Sequence, residues 1–251
     1  MKIYRHLALA LLISAFATSS FAQEGTSALG VQFGFAQTDF RLNSWDVNAD
    51  GSVLINTPLN GIKAGLVWDG TFIKGFGSKM GVNYTFGTYS SGWQPVGDFP
   101  YPREKERNTY HQIESFVDWQ YKFEIAGNTY VIVYTGPTIQ CSLNFTTTVY
   151  RQDIDKEYDP VITNRYDYND ADMHEDYKRF NVTWGVGAGF QYDRFYIRGG
   201  YDFGLINPYK ISDFSEVFGN IYGPNHDSGR RTRGRVDQWH ICLGIYIWQF
   251  D

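Results

Sequence analysis

Two cysteines in 251 residues, Cys141 and Cys242, are too few for a disulfide framework. The strand phase read below puts Cys141 on one face and Cys242 on the other, so no bond between them is expected. Basic residues are the minority, 22 Lys and Arg against 27 Asp and Glu, for a formal net charge of −5. That balance argues against nucleic acid as a main partner. Past the first 22 residues, no apolar run reaches the ~20 residues of a membrane-spanning helix, which excludes a helical membrane protein. A sustained 3.6-residue hydrophobic period with caps is also missing, so helices are not expected to carry the fold.

The N-terminus carries a recognisable address. Lys2, Arg5 and His6 precede an apolar run from Leu7 to Ala17, and Ser20-Phe21-Ala22 supplies small residues at the −3 and −1 positions before Gln23. This is the layout of a secretory signal peptide. Residues 1–22 are read as a cleaved leader and 23–251 as one β domain.

Aromatics make up 18% of the chain, with 19 Tyr, 19 Phe and 7 Trp. Such a share suits wide interfacial belts where rings sit between hydrocarbon and water. Eight alternating segments follow the leader, at about 28–37, 60–69, 78–89, 110–123, 129–145, 177–192, 195–206 and 235–250. Period-two alternation marks strands with one apolar and one polar face. The connections alternate strictly in length. About 22, 20, 31 and 28 residues make up the long ones, and the short ones include a two-residue turn at Asp193-Arg194. Long external loops and short periplasmic turns are the pattern of an outer-membrane barrel. The expected fold is all-β: an eight-stranded antiparallel transmembrane β-barrel with four long external loops and short periplasmic turns.

Phase then assigns side chains. Phe180, Val182, Trp184, Val186, Ala188 and Phe190 point to lipid, as do Phe195, Ile197, Tyr201, Phe203 and Leu205. Trp239, Ile241, Leu243, Ile245 and Ile247 form the outward set of the last strand. The inner face holds Lys63, Lys79, Glu114, Asp118, Lys122, Arg179, Arg198, Asp202 and His240, with Gly185, Gly187 and Gly189 leaving room for long neighbours. An eight-stranded barrel has an interior only wide enough for side chains. Charges of both signs are expected to pair there and plug the lumen.

Few motifs suggest chemistry. "DVNADGSV" places Asp46, Asn48 and Asp50 like the start of a calcium loop, but Thr57 stands where the closing Glu belongs. A polar external loop explains the segment as well, with calcium as the alternative. An acidic third loop (Asp153, Asp155, Glu157, Asp159, Asp167, Asp170, Asp172, Glu175, Asp176) and a basic fourth loop (Arg230, Arg231, Arg233, Arg235) are expected to pair with each other. The alternative is arginine contact with lipopolysaccharide phosphates, or acidic residues sharing divalent ions with them. Of the histidines, His6 is in the leader, His174 and His226 are in loops, and His240 faces inward. His111 is the only plausible base for a lipid-modifying enzyme, with Ser115 and Ser142 nearby, and no triad spacing stands out. No catalytic, metal or cofactor site is assigned.

The segments "NGIKAGLVWDGTFIKGFGSKMGVNYTFG" (Asn60–Gly87), "WGVGAGFQYDRFYIRGGYDFGLINP" (Trp184–Pro208) and "HICLGIYIWQF" (His240–Phe250) resemble the small outer-membrane β-barrels of Bacteroidetes, the PorT-like group, related in shape to OmpX and OmpA barrels. The resemblance implies a barrel spanning the outer membrane, in contact with its lipid and lipopolysaccharide. It also implies envelope or secretion proteins as possible partners. The chain departs from that pattern at its end, where Phe250 is out of phase with the outward aliphatic set and one residue follows it. The functional expectation is a non-enzymatic outer-membrane barrel presenting surface loops, with a secretion accessory as the alternative and a lipid A-modifying enzyme or narrow pore less favoured.

Overall fold

The computed structural model describes residues 25–42, 57–96, 102–153, 156–167, 178–208 and 234–250. All regular structure there is β: β1 (Ser27–Leu42), β2 (Thr57–Ile73), β3 (Phe76–Ser90), β4 (Gln94–Pro95), β5 (Arg103–Ala126), β6 (Thr129–Asp153), β7 (Lys156–Glu157), β8 (Val161–Asp167), β9 (Phe180–Tyr192), β10 (Phe195–Gly204) and β11 (Gly234–Phe250). Every ladder is antiparallel.

The plain eight-stranded barrel expected from the sequence is overturned. One sheet holds eleven strands, in the order β4-β5-β3-β2-β1-β11-β10-β9-β6-β7, with β8 off that path on β6 and a further ladder joining β5 to β6. The three additional strands lie in the connections, where no apolar face marks them by alternation. They form because β5 and β6 run on for 24 and 25 residues and offer unpaired edges. β4 pairs Arg103 and Glu104 of β5. β8 takes the edge of β6 at Asn144–Val149, just past the last β9 partner, Cys141. β7 continues along it at Gln152 and Asp153.

The sheet has an inverted polarity relative to a soluble protein. Phe33, Leu66, Val82, Trp119, Phe190, Phe195, Ile241 and Leu243 are exposed, while Gln32, Lys63, Lys79, Gln112, Glu114, Asp118, Arg198 and Asp202 are buried. Alternation produces this directly, because successive side chains of a strand point to opposite faces. Cys242 is buried and Cys141 is half-buried on the opposite face, and both are free thiols.

Short connections are tight. At the β2–β3 turn Lys74 and Gly75 both have positive φ, 46° and 86°. A Cβ on Gly75 would stand 2.4 Å from the Lys122 carbonyl oxygen, so only glycine fits. Asp193, in the β9–β10 turn, also has positive φ, a conformation Asp tolerates.

The phase mismatch at Phe250 is resolved by a β-bulge. Leu29 pairs with Trp248 and Gly30 with Tyr246, so Ile247 is the extra residue. Beyond it the alternation flips. Trp248 and Phe250 join Leu243 on the exposed face, while Tyr246 stays buried.

Candidate functional site

The inner face is layered. At the long-connection end Phe40, Leu59, Tyr110 and Val236 form an apolar cap, with Tyr89 and Phe145 packed against it. Phe40 meets Tyr110 edge-on at 5.4 Å between ring centroids.

Ion pairs lie beneath this cap. Lys63 Nζ of β2 sits 2.6 Å from Glu114 Oε2 of β5, both almost fully buried, and donates to Gln238 Oε1 of β11 at 2.6 Å. Glu114 also accepts from Thr85 Oγ1 and Gln238 Nε2, each at 2.9 Å, and from Gln112. Its carboxylate is thus held by donors from four strands, which is what allows a charge to persist in a narrow interior.

Arg198 of β10 pairs with Asp118 of β5 and lies 3.8 Å over the Tyr134 ring. The Tyr134 hydroxyl is 3.2 Å from His240 Nε2, and His240 Nδ1 is 3.3 Å from Asp202. Glycine makes this crossing possible. A Cβ on Gly187 would lie 2.2 Å from Tyr134 Cζ, so the bare inner face of β9 is the slot for that ring. A void of about 20 Å³ remains between Gln32, Lys63, Asn83, Glu114, Asp118, Arg198, Asp202 and His240. It holds at most one water.

Lower down, Asp69 of β2 accepts from Lys122 Nζ at 2.9 Å, Gln120 Nε2 at 2.7 Å and the Tyr246 hydroxyl. Lys79 lies 3.2 Å over the centroid of Tyr196 and 3.4 Å from the Tyr246 hydroxyl.

Eight of the nine inner charged residues read from the sequence meet in these clusters. The ninth, Arg179, stands just before β9, its Nε buried without a hydrogen-bond partner. Phase reading did not flag Asp69, although it shares parity with Lys63, nor Asp39 and Asp237, which are buried near the long-connection end. Asp237 receives Arg235 Nε at 2.8 Å and the Tyr201 hydroxyl at 2.9 Å.

The candidate catalytic residues do not assemble. His111 accepts or donates at 2.5 Å with the Tyr84 hydroxyl on the exposed face. Ser142 is buried on the inner face, 2.9 Å from the Tyr110 hydroxyl. Ser115 is four residues along β5 from His111, a rise of about 13 Å. Among the described residues no group of three His, Cys, Asp or Glu side chains could hold a metal ion. The leader 1–22, the segment with Asp46, Asn48 and Asp50, His174, His226, Asp155, Asp170, Asp172, Glu175, Asp176, Arg230, Arg231 and Arg233 lie outside the described residues.

Residues 21–209 match a family model described as an outer membrane protein beta-barrel domain. Among solved structures the chain is similar to Ail, the attachment invasion locus protein of Yersinia pestis, in complex with the heparin analogue sucrose octasulfate. The two are 12% identical over 91% of this chain and 100% of that one, with a TM-score of 0.35. It is similar to Neisserial surface protein A at 11% identity, over 89% of this chain and 100% of that one, with a TM-score of 0.38. For the translocator domain of the autotransporter NalP from Neisseria meningitidis the values are 7%, 98%, 98% and 0.22. At those scores the structural similarities carry no argument about ligands or partners. No curated protein matches the chain.

Proposed function

The chain belongs to the outer membrane protein β-barrel domain family, and from that premise we propose that it works as a platform, holding an extended β-sheet beyond the membrane for contact with other surface molecules. It is a non-enzymatic protein of the outer membrane, embedded in the bilayer through its exposed apolar face.

One observation carries the platform reading. Some 9–11 tilted residues cross a bilayer, and the exposed apolar positions of β5 run only from Ile113 to Ile125. Residues 103–110 continue as strand past that belt, paired with Phe145–Gln152 of β6 and flanked by β4, β7 and β8. At about 3.3 Å per residue the extension runs roughly 25 Å along the strand. Strand pairing holds it rigid where an unstructured loop would not be. The plugged lumen favours this reading over a pore.

Two kinds of contact fit it. The half-exposed Arg235, with the arginines near it in sequence, suits lipopolysaccharide phosphates. A role as a secretion or envelope-assembly accessory, as in PorT-like barrels of Bacteroidetes, rests on the resemblance of the Asn60–Gly87, Trp184–Pro208 and His240–Phe250 segments.

The test shortens the platform in register, deleting residues 104–108 together with 147–151, which pair with each other. The variant should keep the gel-mobility difference between boiled and unboiled samples. It should lose the envelope proteins or lipopolysaccharide that accompany the intact protein out of native membranes in mild detergent. Identical companions for both forms would sink the proposal.

A further inference from the structure

The extension of β5 opens with Arg103-Glu104-Lys105-Glu106-Arg107, where charge sign alternates residue by residue. Successive side chains of a strand point to opposite faces, so the cations share one face of the extension and the acids share the other. The ladder to β6 keeps its register from Arg103 to His111, and the ladder to β3 keeps its register from Arg107 down to Tyr121. Phase is therefore continuous along β5. Arg103, Lys105 and Arg107 stand on the face that carries Ile113 and Trp119 lower down, the exposed apolar face that meets lipid. Glu106 turns the other way, where it accepts from Nδ2 of the buried Asn108 at 2.8 Å.

The neighbouring strands do not neutralise this basic face. Directly opposite Arg103, Lys105 and Arg107 on β6 are Gln152, Tyr150 and Thr148. On the other side Arg103 meets Pro95 of β4, and Arg107 meets Ser90 of β3. A sheet ordinarily settles its charges by placing opposite signs across the ladder. Arg103, at the tip, has a contact of its own within the protein. Lys105 and Arg107 form no salt bridge among the described residues.

Height narrows what these two cations can meet. Arg107 stands about 20 Å along the strand past Ile113, at about 3.3 Å per residue. At a strand tilt of about 40° that is roughly 15 Å above the apolar belt. The polar zone of a phospholipid leaflet is only about 5–7 Å deep. Its phosphates lie well below Arg107, whereas phosphates on a saccharide headgroup stand at that level.

We propose that Lys105 and Arg107 bind phosphates on the headgroup sugars of a glycolipid, the lipopolysaccharide of the surrounding leaflet, whose acyl chains pack on the apolar belt of the same face. Arg107 supplies a planar fork for a phosphate and Lys105 a point charge beside it. The site rests on the platform reading, since both cations stand on that extension. It favours a lipid over a soluble polyanion, because the basic face continues the face along which the lipid lies.

The experiment titrates the full protein in mild detergent with three probes: lipopolysaccharide carrying phosphorylated core sugars, the same material dephosphorylated, and its deacylated phosphorylated oligosaccharide. The intact lipid should bind at least about tenfold tighter than either other probe, the loss expected from removing charge-assisted contacts or the anchor. Lys105→Gln with Arg107→Gln should abolish that margin over the dephosphorylated lipid. Glu104→Gln with Glu106→Gln should shift affinity by less than about threefold, because those side chains face away. All four positions are half-exposed or exposed, so both variants should keep the gel-mobility difference between boiled and unboiled samples. Hydrogen-exchange protection of residues 103–110 reports the extension itself. Lack of protection there overturns the platform and this site together. With protection present, equal binding of the phosphorylated and dephosphorylated lipids, an oligosaccharide that binds as well as the intact lipid, or an acid variant that shifts affinity as much as the cation variant overturns the site alone.

Discussion

Replacing Lys63 by methionine removes one side of the most enclosed ion pair. Lys63 and Glu114 are 3% and 0% exposed. Breaking a buried pair from one side costs ~3–5 kcal/mol, because the remaining charge is left without a partner. Glu114 keeps three neutral donors, Thr85, Gln112 and Gln238, which moves the expected loss toward the lower end, about 3 kcal/mol. Gln238 loses the donor to its Oε1 and adds a little to the cost. The double variant Lys63→Met with Glu114→Gln removes both charges and should recover to within about 1 kcal/mol of the parent. Urea unfolding in lipid vesicles, followed by tryptophan fluorescence and by gel mobility, measures all three forms. A single-variant loss below about 1 kcal/mol, or a double variant no better than the single, would refute a dry interior and mean that water reaches Glu114.

Gly244→Ala puts a Cβ 2.0 Å from Tyr196 Cζ and should lower stability by about 1–3 kcal/mol in the same urea assay through overpacking. Leu243→Arg, at an exposed position in the middle of the β11 belt, should cost about 2–4 kcal/mol, against about 0–1 for Phe250→Arg at its end, which urea titration in vesicles would resolve. Planar-bilayer recordings of the intact protein should stay at baseline, since the gap between the ion pairs admits no more than one water.

Phase was the legible part of this molecule. Two-residue alternation sorted Lys63, Glu114, Asp118, Arg198 and Asp202 to the inside and Trp184, Ile197 and Leu243 to the outside, because each choice depends only on neighbours in the chain. Partner choice was not legible. Lys63 of β2 reaches across β3 to Glu114, and Arg198 crosses the lumen to Asp118, so the pairing depends on circumference and depth. Asp69 shared parity with Lys63 and could have been found; its position at the end of the apolar alternation hid it. The strand count failed for a different reason. β4, β7 and β8 owe their form to an edge supplied by β5 or β6, and a segment's own residues do not record which edge it will meet. The bulge at Ile247 left a trace in the sequence, as the clash of phase between Ile245 and Phe250, but the same trace fits a frayed end.

The seam between β1 and β11 brings Ser27 against Phe250, nearly the whole described chain apart. Every other long strand finds a hydrogen-bonding partner next to it in sequence, or one that is already made, whereas β1 must keep one edge bare until the last strand exists. Contacts of such sequence separation are slow to form, and a bare strand edge recruits any extended chain that meets it first. Loss of β11 should therefore trap the protein before insertion, which is a different defect from weakening the finished sheet. The interval between synthesis of β1 and docking of β11 is when this chain is most exposed to aggregation.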